Sequence, residues 1–118
     1  MSACTLATAI TPPVEAQLYT TAADGKASSA SIPLPSWVPD DATMIRIKKN
    51  TETGGTIMQF TAAGQAIGTA CDPSIAGNQP PMQDTWWHQV LPAADQITCQ
   101  DGWHIFVSGG SEFNAWTP

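Results

Sequence analysis

The sequence predicts an all-β fold: a single-domain antiparallel β-sandwich, jelly-roll-like in its strand count. Three observations lead there. No stretch of about eleven residues carries a helical period of apolar positions. Short runs of β-formers, about eight in all, recur between turn signals at roughly 8–12-residue spacing, the pattern of all-β sandwiches and barrels. Residues 33–50 then read as extended chain passing into a strand. Pro33, Pro35 and Pro39 remove donors and fix φ, and each restricts the residue before it, Ile32, Leu34 and Val38, to extended geometry. Asp40-Asp41 supplies turn chemistry. After it Thr43, Ile45 and Ile47 alternate with Met44, Arg46 and Lys48. A double-sheet jelly roll suits this strand count, and an immunoglobulin-like sandwich is the competing arrangement.

In chain order, residues 1–13 form a small, apolar, Thr-rich segment ending in Pro12-Pro13, read as an extended N-terminal arm. Residues 14–118 are the β domain. Residues 14–21 place Val14, Ala16 and Leu18 on one alternation and Tyr19 on the other, a first strand. Asp24-Gly25 signals a turn, with residues 27–32 as the return strand. Residues 50–55 (Asn-Thr-Glu-Thr-Gly-Gly) suit a hairpin loop, and residues 56–61 a strand after it. Residues 62–68 read as a turn and a short strand. Residues 72–84 carry three prolines and no period, a loop long enough to imply a use. Residues 85–91 and 96–99 read as strands. Asp101-Gly102 is a hairpin turn, after which Trp103, Ile105 and Val107 share one face and His104 and Phe106 the other. Gly109-Gly110 ends that strand, and residues 111–118 form a last strand or tail.

Length and composition narrow the function. A chain of 118 residues is one domain and can bury a core without metals or disulfides. Hydrophobic residues make up 42% and charged residues only 12%, with small neutral polar residues in their place. Charge normally keeps a lone monomer apart from its neighbours, so this surface suits life against other protein surfaces. The net charge of −6 and four basic residues, three of them at Arg46, Lys48 and Lys49, exclude phosphate-backbone binding as the main task. No segment has the ~18 apolar residues of a membrane helix, and residues 1–11 lack the charged and long apolar regions of a secretory signal. Cys4, Cys71 and Cys99, an odd set with no close pair, read as reduced thiols, with a Cys71–Cys99 bridge left open.

Catalytic and metal motifs are missing. Cys99 and His104 flank a turn, yet no Cys-x-x-Cys pairing accompanies them, so neither metal nor cofactor is expected. No Gly-x-Ser-x-Gly elbow occurs. Asp40-Asp41 would point apart on extended chain, and the paired glycines match no phosphate loop. Two histidines are too few for a cupin-like metal site. No catalytic residue is assigned.

The tryptophans carry more. Trp103 falls on an alternating face and reads as core, while Trp37 reads as a plug at an open end of the sandwich. Trp86 and Trp87 are adjacent, so on a strand one of them leaves the main core unless both sheet faces are covered. Trp86, Trp87, Phe113 and Trp116, with Leu6 and Ile10 of the arm, are the candidate protein-interface residues. A sugar-stacking platform on Trp86 or Trp87, with Asp84 and Gln89 nearby, is the rival use.

Several phrases bear a resemblance. Ser31-Ile32-Pro33-Leu34-Pro35, then Val38-Pro39-Asp40-Asp41-Ala42-Thr43-Met44-Ile45-Arg46-Ile47, then a Thr/Gly-rich hairpin over residues 50–60, Leu91-Pro92-Ala93-Ala94-Asp95 and Ile105-Phe106-Val107-Ser108-Gly109-Gly110 together resemble small β-sandwich virion proteins of tailed bacteriophages. The resemblance spans roughly residues 31–110. It implies a non-enzymatic structural protein, made in the host cytoplasm and carried in the virion, that decorates or cements a capsid. Its implied partners are the major capsid protein or another virion protein, and copies of itself as a dimer or trimer, with no nucleic acid and no membrane. The alternatives are a carbohydrate-binding module and a head–tail or tail structural protein.

Overall fold

Asn50 sets the first hairpin. Its side-chain oxygen accepts from the N–H groups of Glu52 and Thr53 at 2.9 and 3.1 Å. Its carbonyl accepts from Gly54 N at 2.8 Å, and Gly54 adopts the positive φ (81°) that glycine tolerates. On either side run β2 (Thr43–Asn50) and β3 (Thr56–Thr61), paired antiparallel. The computed structural model describes residues 13–28, 32–63, 67–72, 74, 78–88 and 90–118. Among these, β1 (Val14–Thr21), α1 (Ala22–Ala27), β4 (Thr69–Ala70), a 3₁₀ turn (Ala94–Gln96), β5 (Thr98–Gln100), β6 (Trp103–Ser108) and β7 (Glu112–Thr117) complete the elements.

The strands pair in the order β1-β2-β3-β7-β6-β5-β4, every neighbour antiparallel. The all-β, single-domain, antiparallel class is the one the sequence predicts. The seven described strands form one continuous ladder, whereas a jelly roll divides eight between two facing sheets. Asp101 and Gly102 both take positive φ (50° and 85°), the requirement of a two-residue type I′ hairpin, and they join β5 to β6 as expected.

Both faces of the central strands are buried. On the first face Ile45, Ile47, Met58, Phe60, Ile105, Phe113 and Ala115 form one core. Phe60 and Phe113, cross-strand partners, stack at 5.1 Å. The proline-rich segment lies over this face as a lid. It inserts Ile32, Leu34, Val38 and Ala42, and turns through Val38 N→Pro35 O (3.2 Å) and Ala42 N→Pro39 O (3.0 Å). Tyr19 Oη donates to Ile32 O (3.0 Å), and Lys26 Nζ donates to Val38 O (2.7 Å) and Asp40 (3.0 Å). Trp37 packs edge-on against Trp103 (5.7 Å) and tilted against Phe60 (6.2 Å).

Five expectations are corrected. Asp24-Gly25 belongs to helix α1 rather than a hairpin turn. Thr21 caps it, its hydroxyl accepting from Asp24 N at 3.1 Å, a local signal that outweighs Asp-Gly turn chemistry. The described residues of the expected return strand after it are α1's end, Ser28 and Ile32, none in a strand. The described residues of 85–91 form turn and coil, and Gln96 closes the 3₁₀ turn ahead of β5. Residues 112–117 do form the last strand expected there, β7, which lies between β3 and β6 with Phe113, Asn114, Ala115 and Trp116 buried. Finally, Cys71 and Cys99 form a disulfide. The two cysteines are 28 residues apart in sequence, but the pairing of Thr69 with Cys99 brings their strands side by side. The N-terminal arm lies outside the described residues up to Pro13.

Candidate interaction face

The second face of the sheet is half covered. Over β3, β7 and β6, Ile57, Trp116 and Phe106 are buried beneath Trp87 and Ile97, with Cys71, Met82, Trp86 and Leu91 packed around them. Trp87 meets Phe106 and Trp116 edge-on, both at 6.2 Å, and Trp86 at 6.1 Å. His104 lies flat on Trp116 at 4.8 Å. Aromatic rings in such tilted and stacked arrangements stabilise by about 0.5–1.5 kcal/mol per pair beyond their burial.

Polar contacts tie this cover to the sheet. Lys48 on β2 reaches Asp84 at 3.1 Å, with roughly a quarter of each side chain exposed. That contact, followed by the Thr85 N–H, holds the Asp84 carboxyl below its ordinary value of 3.8. Gln59 Nε2 donates to the carbonyl of Trp86 and to Asn114 Oδ1, both at 2.9 Å. Asn114 Nδ2 continues to Ser108 Oγ at 3.1 Å. Ser108 Oγ meets His88 Nε2 at 3.3 Å, and Glu112 Oε1 meets the same nitrogen at 3.4 Å. Serine, histidine and glutamate are thus neighbours without the relay geometry of a triad. A triad uses one ring nitrogen for the nucleophile and the other for the orienting carboxylate, whereas here both converge on Nε2.

The cover stops at Trp86. Beyond it, among the described residues, the outward Ala16, Leu18 and Arg46 are exposed. Ala16, Gln17, Leu18, Arg46, Ile47 and Trp86 line a groove of about 480 Å³. A second depression, about 380 Å³, shares Arg46 and adds Met44, Gln59 and Glu112. Leu18 is 63% exposed and Met44 52%. Met44 sits at the irregularity between Thr43 and Arg46, with φ of 52°. A bulge of this kind re-aims the side chains beside it.

The interface candidates of the sequence therefore divide. Trp87, Phe113 and Trp116 are 4%, 0% and 0% exposed, part of the chain's own core and unavailable as surface anchors. Trp86 is half-buried at the rim of the groove. Leu6 and Ile10 lie outside the described residues. Asp84 is engaged by Lys48 rather than presented beside a tryptophan platform, and Gln89 is outside the described residues. Leu18, Met44 and Arg46 were not among the candidates. Leu18 was legible only as one side of an alternation whose inward side is Tyr19, 7% exposed. Cys99 and His104 are cross-strand partners, as their turn predicts, but Cys99 is bonded to Cys71. Among the described residues no group of three His, Cys, Asp or Glu side chains is placed to hold a metal ion, and no helix is long and apolar enough to cross a membrane. No protein-family model matches the chain, and no curated protein or solved structure is significantly similar to it.

Proposed function

We propose that this protein is a non-enzymatic structural subunit of a larger assembly, of the kind that decorates or cements a phage capsid, and that it binds a major capsid protein or another virion protein together with copies of itself. One observation carries the binding part of this reading: the uncovered half of the second face, where Leu18 and Met44 stand exposed around Arg46 at the rim formed by Trp86. Methionine, arginine and tryptophan are enriched at protein interfaces, and Leu18 and Met44 expose apolar surface in two depressions that share Arg46. The charge-poor composition, 12% charged, supports the same use. The virion assignment rests on the sequence resemblance over residues 31–110.

The test is add-back to purified particles that lack the protein. Stoichiometric binding is expected, with at least a tenfold loss for Leu18→Asp or Arg46→Glu at unchanged thermal stability. Failure to bind particles, with the protein recovered only as a free species from lysates that contain them, overturns the reading. A second reading, glycan binding, draws on the groove in which Trp86 lies with Gln17 and Arg46. Saturable binding on a glycan array, lost in Trp86→Ala, would favour it.

A further inference from the structure

The sheet has two edges of unequal character. β4, at one end, is two residues long. β1, at the other, is eight residues long and among the described residues is paired on one side only, to β2. An open edge is a template for another strand, and proteins usually guard one with lysine, proline, a bulge or brevity. β4 is guarded by brevity. From Ala16 to Thr21, β1 reads Ala-Gln-Leu-Tyr-Thr-Thr, with no charge and no proline, and its register with β2 shows no bulge. Alongside this edge runs the groove lined by Ala16, Gln17, Leu18, Arg46, Ile47 and Trp86. Glu15 and Pro13 guard only the first end of β1; a stretch of edge without charge or proline next to a side-chain groove is the geometry of strand addition, in which main-chain hydrogen bonds supply affinity and the groove selects side chains.

We infer that β1 accepts a strand from residues 1–12 of a second copy of this chain. The inference deepens the assembly reading and rests on it for the use of this face. Residues 1–12 have no charged side chain. Over residues 3–10, Cys4, Leu6, Thr8 and Ile10 alternate with Ala3, Thr5, Ala7 and Ala9, so across that span one face of a strand would carry Leu6 and Ile10 and the other only small side chains. Leu6 and Ile10 would lie ~13 Å apart on that face, and eleven extended residues reach ~36 Å, more than the ~26 Å of β1. A tight hairpin returning this segment onto its own β1 would need positive φ at the turn. Pro12 and Pro13 stand there, with φ fixed near −65°. Pro13 is moreover held beside the β2–β3 loop, its carbonyl accepting from Thr51 N (2.7 Å) and Thr51 Oγ1 (3.1 Å). Reciprocal exchange between two copies closes a two-fold dimer.

The experiment compares the full chain with its full-length Leu6→Asp/Ile10→Asp variant by light scattering at ~50 µM, a concentration well above the micromolar affinity of a modest interface. The full chain is expected at twice its 12.4 kDa mass or more, and the variant as a folded monomer. A synthetic peptide of residues 1–12 carrying Cys4→Ser is expected to bind the variant at one per chain. Leu18→Lys in the acceptor is expected to weaken that binding at least tenfold, with the circular dichroism spectrum unchanged. A monomeric full chain overturns the inference, including the case in which the variant still binds peptide, because the segment then serves its own chain. An oligomeric variant, or a peptide that does not bind, overturns it as well. Particle binding is read separately. A monomer that binds particles refutes this inference alone, and a dimer that does not bind them refutes the assembly reading alone.

Discussion

The side-chain amide of Gln59 donates to the backbone carbonyl of Trp86 at 2.9 Å, and the same nitrogen donates to Asn114 Oδ1 at 2.9 Å. One glutamine on β3 thereby fixes where the loop over the second face ends, and so where the open half begins. Gln59→Ala removes both bonds and leaves the carboxamide of Asn114, on a fully buried residue, short of a donor. A loss of about 1–3 kcal/mol is expected, measured by urea unfolding. The tryptophan emission should also shift to longer wavelength, as Trp86 loses its anchor. Unchanged emission and stability would show that the aromatic contacts and the Lys48–Asp84 contact hold the loop without Gln59.

The core and the open face should respond oppositely to truncation. Trp116 is fully buried among Trp87, Phe106 and His104, so Trp116→Ala is expected to cost about 3–5 kcal/mol. Leu18→Ala, made in the monomeric Leu6→Asp/Ile10→Asp chain, removes a largely exposed side chain and should stay within about 0.5 kcal/mol of that chain. Paired denaturant curves check both. A large loss at Leu18 would mean that it is covered within the monomer.

Acid should release the cover over the second face. The Asp84 carboxyl is held below 3.8 by Lys48 and the Thr85 N–H. A carboxyl depressed in the folded state contributes stability that is fully present above its unfolded value and is lost as the pH falls through its folded value. The contribution of the Lys48–Asp84 contact is therefore intact at neutral pH and disappears below about pH 4, around and under the ordinary aspartate value. Thermal melts between pH 7 and pH 2.5 should show the parent and Asp84→Asn converging at the acid end. Parallel curves throughout would remove Asp84 from the account.

Reduction should loosen the far edge of the sheet. The Cys71–Cys99 bond closes a chain segment with a sequence separation of 28, for which chain entropy gives a stabilisation of about 3–4 kcal/mol. Unfolding with and without dithiothreitol measures it. Thiol trapping on the denatured, unreduced chain should label Cys4 alone. Next to the bridge, Gly68 has φ of +82°, and a Cβ there would come within 2.5 Å of the Cys99 carbonyl oxygen. Gly68→Ala should therefore destabilise the same edge by more than 1 kcal/mol, through both the backbone conformation and the contact.

Much of this fold was legible in short range. Alternation in residues 43–48 marks a strand with Ile45 and Ile47 inward, and both are at most 1% exposed. Asn50 and Gly54 announce one hairpin and Asp101-Gly102 another, because turn chemistry is local: one side chain and one or two φ values decide it. The helix at residues 22–27 was legible too, in Thr21 and Asp24, yet the Asp-Gly signal within it points the other way. Local patterns thus suffice for the β class, for the two hairpins at residues 50–55 and 101–102, and for a surface poor in charge. Long-range packing selects which of Trp86 and Trp87 remains at the surface, since the two are equivalent in sequence and differ in what the loop over residues 78–88 meets on β3, β6 and β7. It also decided the Cys71–Cys99 bridge and the central place of β7, both products of strand order. Strand order joins residues that are far apart in the chain, and no local pattern of alternation or turn residues records which strands become neighbours.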